Sequence, residues 1–343
     1  MHPPARILAV VLAAASLAAE PARDALQEAR ELARQGRLEE AEGVLRRAAV
    51  ERPRDPAPLV ELGRLLQQRG DLPGAAESLE RALVLSADPA PILPLLGQVY
   101  LLQNRRPEAR SVLERSVTAS PGDVGSRYNL GRLLRQEGES SSAVRELEAA
   151  LALRPDERLR QRILANLAPL YLEARRYAKA APLLEGLIRE QPEQAEWRLD
   201  LAYARDGLGE PRQALEAARE AARLKPDLAD AHRLIGSLLR TLGDLQGALA
   251  ASQKALALSP QQPSALALSA SLHLDLNQPA LARDEARQLI DKDPSHPQAH
   301  YLLGQALLAA GDREAAEREF ETHRQLAAQR RAFQHTAASL GEE

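Results

Sequence analysis

The sequence predicts an all-α fold, a superhelical solenoid of about nine helix-turn-helix repeats of 34 residues each. Three observations support this prediction. Ala, Leu, Arg and Glu, which are good helix formers, dominate the composition, while aromatic residues make up only 3%. An alanine recurs at a nearly fixed interval with a small residue twelve positions before it, and in seven of the nine repeats a proline follows twelve positions after it. Such a period is typical of repeat architectures, in which each repeat packs only against its neighbours.

The alanine column marks nine repeats, with an interval of 34 residues except for 37 residues between Ala143 and Ala180. Its members are Ala41, Ala75, Ala109, Ala143, Ala180, Ala214, Ala248, Ala282 and Ala316. Twelve residues before them lie Ala29, Gly63, Gly97, Gly131, Ala168, Ala202, Gly236, Ala270 and Gly304. We expect two antiparallel helices in each repeat, which approach each other closely at these two columns of small residues.

Gly, Asn and Pro predict where the helices end. A residue that readily adopts the left-handed conformation closes the first helix at Gly36, Gly70, Asn104, Gly138, Gly209, Gly243, Asn277 and Gly311. Arg175 takes this place in the fifth repeat. Prolines that should stop the second helix are Pro53, Pro121, Pro155, Pro192, Pro226, Pro260 and Pro294. The insertion at Arg158–Arg160 is expected to lengthen the connection after the fourth repeat.

This pattern resembles the tetratricopeptide repeat family over residues 22–330. The resemblance implies that the first helix of each repeat lines a concave groove, in which an extended peptide or a single helix of another protein lies. The first repeat carries Glu28 where a large apolar residue belongs, which is typical of a polar cap. Residues 331–343 are expected to form a capping helix and a short tail.

The N-terminus predicts export from the cytoplasm. A short segment with one fixed positive charge, Met1–Arg6, precedes the apolar run Ile7–Ala19. This order is typical of a secretory signal peptide, which we place at residues 1–19. The apolar run of about 13 residues is shorter than the ~20 that a membrane-spanning helix needs. The predicted location is the periplasm or the exterior; the alternative is an uncleaved anchor that holds the protein at the inner membrane.

Arginine and amide side chains dominate the positions that the resemblance places in the groove. The candidate partner-binding residues are Arg30, Arg64, Gln98, Tyr128, Asn129, Arg132, Arg135, Arg162, Asn166, Arg240 and Tyr301. Guanidinium groups on a rigid helical scaffold bind carboxylates with two hydrogen bonds, so we expect an acidic segment or a chain terminus as ligand. The alternative is a solvated face on which each arginine pairs with a nearby glutamate. In the sixth repeat the charge reverses, at Glu196, Asp200 and Asp206.

Composition and motifs argue against an enzyme. The chain has no cysteine, and its seven histidines form no metal-ligating or catalytic pattern, so we predict no catalytic residue, metal or cofactor. A net charge of −3 with few groove aromatics disfavours nucleic acid. The predicted function is a non-enzymatic scaffold or adaptor in cell-envelope assembly or secretion. Two alternatives remain, a scaffold subunit tethered to the inner membrane and a metal-dependent enzyme accessory.

Overall fold

The computed structural model describes residues 25–340, and within them the chain forms eighteen helices, two for each repeat, and no strand. The predicted signal peptide at residues 1–19 lies outside the described residues. The first helix, α1, covers residues 25–34. The others are α2 Leu38–Glu51, α3 Ala57–Arg69, α4 Leu72–Leu85, α5 Leu93–Leu102, α6 Arg106–Ala119, α7 Val124–Gln136, α8 Ser140–Ala152, α9 Glu157–Glu173, α10 Tyr177–Glu190, α11 Ala195–Gly207, α12 Pro211–Leu224, α13 Ala229–Thr241, α14 Leu245–Leu258, α15 Pro263–Asp275, α16 Pro279–Lys292, α17 Pro297–Ala309 and α18 Arg313–Leu340.

The chain divides into two compact units, and the boundary in the sequence falls inside α9, between Asn166 and Leu167. In unit 1, the part through Asn166, α3 packs against α4, α5 against α6 and α7 against α8. In unit 2, the part from Leu167, the corresponding pairs run from α11–α12 to α17–α18. Within each unit the second helix of a repeat also contacts the first helix of the next repeat. The predicted all-α class of helix-turn-helix repeats is therefore confirmed.

The column of small residues exists because the two helices of a repeat leave no room for a larger side chain. A Cβ atom added to Gly63 would lie 2.6 Å from Cγ of Leu79, and one added to Gly131 would lie 2.7 Å from Cγ of Leu147. These leucines are fully buried, and each such burial contributes about 1.5–3 kcal/mol. Glycine thus permits the approach that buries the leucine of the opposite helix.

The first helices end in the left-handed conformation that the sequence predicts. Gly70 has φ +84°, and Asn104 and Asn277 have φ 58° and 57°. Arg175, which lacks the usual residue type, adopts the same conformation with φ 54°. The position in the repeat therefore dictates the backbone, and at Arg175 the chain tolerates a conformation that costs about 1–2 kcal/mol for an ordinary residue.

The insertion at Arg158–Arg160 extends a helix, and the prediction that it lengthens a connection was wrong. These residues lie inside α9, which has 17 residues where α7 and α11 have 13. The added residues are good helix formers, and Asp156 accepts a hydrogen bond from the backbone nitrogen of Leu159 at 2.9 Å. The insertion therefore adds about one helical turn to the first helix of the fifth repeat.

The last helix is unusually long. It runs without interruption for 28 residues, from Arg313 to Leu340, and so includes the segment for which the sequence predicts a capping role. That this segment caps the last repeat stays a prediction. Among the described residues, no helix combines the length and the apolar character that a membrane span requires.

Candidate functional site

A pocket of about 310 Å³ opens between the first helices of the first two repeats in unit 1. Arg30, Arg34 and Arg64 contribute guanidinium groups to its lining, and Glu61 contributes the one carboxylate among the lining residues. Arg30 donates a hydrogen bond to Glu61 at 2.6 Å, and Arg34 pairs with Glu31 at 3.1 Å. Arg64 makes no ion pair with any described residue, so this pocket retains an uncompensated positive charge.

A second group of arginines contacts Tyr128 in unit 1, one from α7 and one from the first part of α9. The tyrosine is 4% exposed, and its ring centroid lies 5.6 Å from Cζ of Arg132 and 4.8 Å from Cζ of Arg162. Both guanidinium groups are thus placed for cation–π contact with one ring. Neither arginine forms an ion pair within residues 25–340, so two like charges lie close together without a compensating carboxylate.

The spacing of these residues along α7 brings their side chains to one face of the helix. Tyr128, Arg132 and Arg135 stand four and three residues apart on α7 and therefore share one face of the helix. Asp123 begins this helix by accepting a hydrogen bond from the backbone nitrogen of Ser126 at 2.9 Å. Arg135 is exposed and, like Arg132, has no ion pair among the described residues.

The amide side chains of the predicted site differ in availability. Gln98 on α5 is exposed, and Asn129 on α7 is half-buried. Asn166 donates its side-chain N–H to the backbone oxygen of Arg162 at 2.8 Å, so this donor is used within its own helix. Sequence periodicity places Asn166 on the same helix face as Arg162 but does not reveal this local bond.

In unit 2 the two predicted site residues have partners of their own. Arg240 donates two hydrogen bonds to Asp275, at 2.5 and 3.2 Å, and its charge is therefore compensated within the fold. Tyr301 is 41% exposed and accepts a hydrogen bond from Gln305 at 2.8 Å. Its ring centroid lies 5.9 Å from that of Phe320. At these two positions unit 2 thus has a paired arginine and an exposed aromatic ring.

Asp200 is a half-buried carboxylate on the first helix of the sixth repeat. Burial, together with the nearby charge of Glu196, raises the pKa of Asp200 to about 6. Glu196 itself pairs with Lys225 at 2.9 Å, whereas Asp200 has no hydrogen bond or ion pair within the described chain. The charge reversal that the sequence indicates in this repeat therefore includes one carboxylate that the fold leaves uncompensated.

A further set of side chains, not anticipated from the sequence, ties the start of a first helix to the proline that ends the previous repeat. Each of these side chains donates a hydrogen bond to the backbone carbonyl oxygen of the proline six residues earlier. The four bonds are Arg127 to Pro121 at 2.8 Å, Arg198 to Pro192 at 2.9 Å, His232 to Pro226 at 3.0 Å and His300 to Pro294 at 3.0 Å. A donor side chain at a fixed distance after the repeat proline is the signal that would have revealed them. The histidines among them thus act in repeat packing.

One buried polar cluster resembles catalytic machinery in residue types only. Ser269 donates a hydrogen bond to Glu285 at 2.6 Å, and Nε2 of His273 lies 3.5 Å from the same carboxylate oxygen. Burial raises the pKa of Glu285. Because Ser269 is fully buried and His273 is 6% exposed, a substrate has no access to either. Within the described part of the chain, no group of three or more His, Cys, Asp and Glu residues could hold a metal ion.

Comparison with family models identifies the repeat. One model described as tetratricopeptide repeat matches residues 26–91, 60–124, 165–206, 199–263 and 268–330, and a second model of the same description matches residues 100–167. The fold is also similar to a solved structure, the crystal structure of the APC/C hetero-tetramer Cut9-Hcn1, with a TM-score of 0.50 and 18% identity. That match covers 82% of this chain and 55% of the other, and it indicates the fold alone.

Two curated proteins are similar to parts of the chain. The cellulose synthase operon protein C of Xanthomonas axonopodis pv. citri (strain 306) is 34% identical over 179 residues, which is 50% of this chain and 12% of that protein. The human protein O-mannosyl-transferase TMTC3 is 32% identical over 122 residues, which is 34% of this chain and 13% of that protein. The match thus spans only about an eighth of the length of either relative.

Proposed function

The chain belongs to the tetratricopeptide repeat family, and from this membership we propose that it is a non-enzymatic scaffold that binds a segment of another protein along its first helices. Tetratricopeptide repeat proteins are protein-binding scaffolds, and repeats of this kind present a preorganised surface. We assign the binding surface in unit 1 to a groove face made of Arg64, Gln98, Asn129, Arg132, Arg135 and Arg162.

The observation that supports this proposal most strongly is the uncompensated charge around Tyr128. If these arginines were only part of an ordinary solvent-exposed surface, they would pair with nearby carboxylates, as Arg30 and Arg240 do. Arg132 and Arg162 instead share one aromatic ring without a carboxylate, so an acidic segment or terminus of a partner would relieve their mutual repulsion. The partner in this proposal is therefore a protein segment rich in carboxylates.

The proposal also places the protein outside the cytoplasm, in cell-envelope assembly or secretion. Its support is the signal-peptide pattern of residues 1–19, and one relative is named as the product of a cellulose synthase operon. In the alternative form, the same segment remains as an anchor at the inner membrane. The intact mass of the protein isolated from its own cells distinguishes a cleaved leader from a retained one.

Catalysis is not part of the proposed function. One relative is named as a transferase, but the similarity covers 34% of this chain and 13% of that protein, so it extends to only a small part of a much longer molecule. The alternative of a metal-dependent enzyme accessory is tested by metal analysis of the purified protein. A stoichiometric transition metal would overturn the non-enzymatic assignment.

The partner-binding proposal is tested by in-cell photo-crosslinking of the full chain. A photoreactive residue replaces Gln98, which is exposed on the groove face, and in a control it replaces Val50, which is 80% exposed on a second helix. We expect one dominant protein to be captured from position 98 and not from position 50. Equal capture from both positions, or capture from neither, would contradict binding along the first helices.

A further inference from the structure

The charge along the groove face of unit 1 changes from positive to neutral and back to positive. At one end, the pocket between α1 and α3 contains three guanidinium groups and one carboxylate, and Arg64 remains unpaired among the described residues. At the other end, Arg132, Arg135 and Arg162 remain unpaired within the same part of the chain. Each end therefore has its own capacity to bind an anionic group.

The helix between these two places, α5, contributes no cation to the groove face. Gln98 is exposed there, and Leu101 and Pro94 are half-buried at the neighbouring groove positions. The nearest arginine in sequence, Arg105, pairs with Glu108 at 3.0 Å and lies over the ring of Tyr100. A ligand that follows the face from α3 to α7 thus passes a neutral stretch about one repeat wide.

We propose that unit 1 recognises an extended acidic segment whose two groups of carboxylates are separated by a neutral spacer of defined length. This inference rests on the proposed function and adds the pattern that the partner must carry. Packed helices lie 8–10 Å apart, so α3 and α7, two repeats apart, are separated by roughly 20 Å. An extended chain advances about 3.3–3.6 Å per residue, so the matching spacer has about six residues.

The same pattern favours a protein segment over a nucleic acid. A nucleic acid carries a phosphate at every nucleotide. The phosphates that lie opposite α5 would therefore have no cation to pair with. Its bases would also need exposed aromatic rings on which to stack, whereas Tyr128 is 4% exposed and has two guanidinium groups against its ring. An acidic peptide with a neutral centre meets neither difficulty.

The test measures binding of synthetic peptides to the full chain by fluorescence anisotropy. Each peptide carries two Asp-Asp pairs, separated by stiff polyproline spacers of about two, six or ten residues, so that the total charge is constant while the distance between the pairs changes by about 3.1 Å per residue. Because the second contact becomes intramolecular only when the spacer fits, we expect the middle peptide to bind at least ~10-fold more tightly than the others. An affinity that does not depend on the spacer would overturn the proposal.

Single substitutions test which arginines bind each of the two acidic groups of the peptide. Arg64→Ala and Arg132→Ala should each reduce the affinity of the middle peptide to that of the short one, while Arg115→Ala, an exposed arginine on the second helix α6, should leave it unchanged. An oligodeoxythymidine of equal charge should bind more weakly than the middle peptide; equal or tighter binding would overturn the proposal in favour of a nucleic acid.

The photo-crosslink from position 98 separates this inference from the proposed function. A partner captured there through a segment without two acidic groups would overturn the spacing pattern and leave the scaffold function standing. Failure to capture any partner would contradict the scaffold function, whatever the synthetic peptides do.

Discussion

Replacement of Asp200 by asparagine should stabilise the protein at neutral pH. The carboxylate is half-buried on α11, has no hydrogen-bond partner among the described residues and lies near Glu196. Its pKa rises from an ordinary value of 3.8 to about 6, chiefly because burial penalises the charged form. At neutral pH the fold must therefore keep a charge that it does not compensate, and asparagine removes that charge with little change of shape.

The size and the sign of the effect follow from the pKa. The rise in the pKa of Asp200 from 3.8 to about 6 corresponds to about 3 kcal/mol at most, and partial exposure to solvent reduces this to about 1–3 kcal/mol. Because folding raises the pKa of Asp200, the contribution of this group to stability is greatest below the ordinary value of 3.8 and is lost as the pH rises through about 6. Asp200→Asn should thus raise the free energy of unfolding near pH 7.5, and the difference from the native chain should disappear near pH 4.

Urea denaturation followed by circular dichroism at the two pH values measures this difference. Asp206→Asn is the matched control, since Asp206 is an exposed carboxylate on the same helix and its replacement should change stability by no more than about 0.5 kcal/mol. Equal stability of the Asp200 variant and the native chain near pH 7.5, or a gain that persists unchanged near pH 4, would refute the reasoning.

Two further predictions concern the repeat architecture, and a third concerns metal content. Arg175→Gly should stabilise the chain by about 0.5–1 kcal/mol in urea denaturation, because glycine relieves the left-handed backbone but loses more entropy on folding; a decrease would contradict this account. Gly131→Ala should destabilise it by about 1–3 kcal/mol, because the new Cβ would lie 2.7 Å from Cγ of Leu147, and unchanged stability would show that the helices separate easily. Treatment with EDTA should leave the melting temperature unchanged; a drop would reveal a structural metal.

Periodicity alone predicted most of the fold, because the spacing of small residues, alanines and prolines reflects contacts that recur in every repeat. Arg175 illustrates the strength of this information, since its position predicts a helix end even though its residue type does not favour one. The insertion at Arg158–Arg160 illustrates its limit. Spacing shows that residues have been added, but local helix propensity and the cap at Asp156 decide that they extend α9.

The candidate site was less predictable, because charge compensation depends on side chains that are distant in sequence. Arg240 pairs with Asp275, which lies 35 residues later, and Arg30 pairs with Glu61, which lies 31 residues later. Periodicity assigns both arginines to the same face as Arg132 and cannot tell which of them remain unpaired. Only the three-dimensional arrangement separates the arginines that are paired within the fold from those that have no ion pair among the described residues.

The central claim is that the unpaired arginines on the groove face of unit 1 bind a segment of another protein. Its most direct test is the affinity of the partner captured from position 98, measured for the native chain and for the double variant Arg132→Glu, Arg135→Glu. The account predicts a loss of more than about thirtyfold with an unchanged helical spectrum and melting temperature, since neither arginine has an ion pair in the described chain. Undiminished affinity in a folded double variant would contradict it.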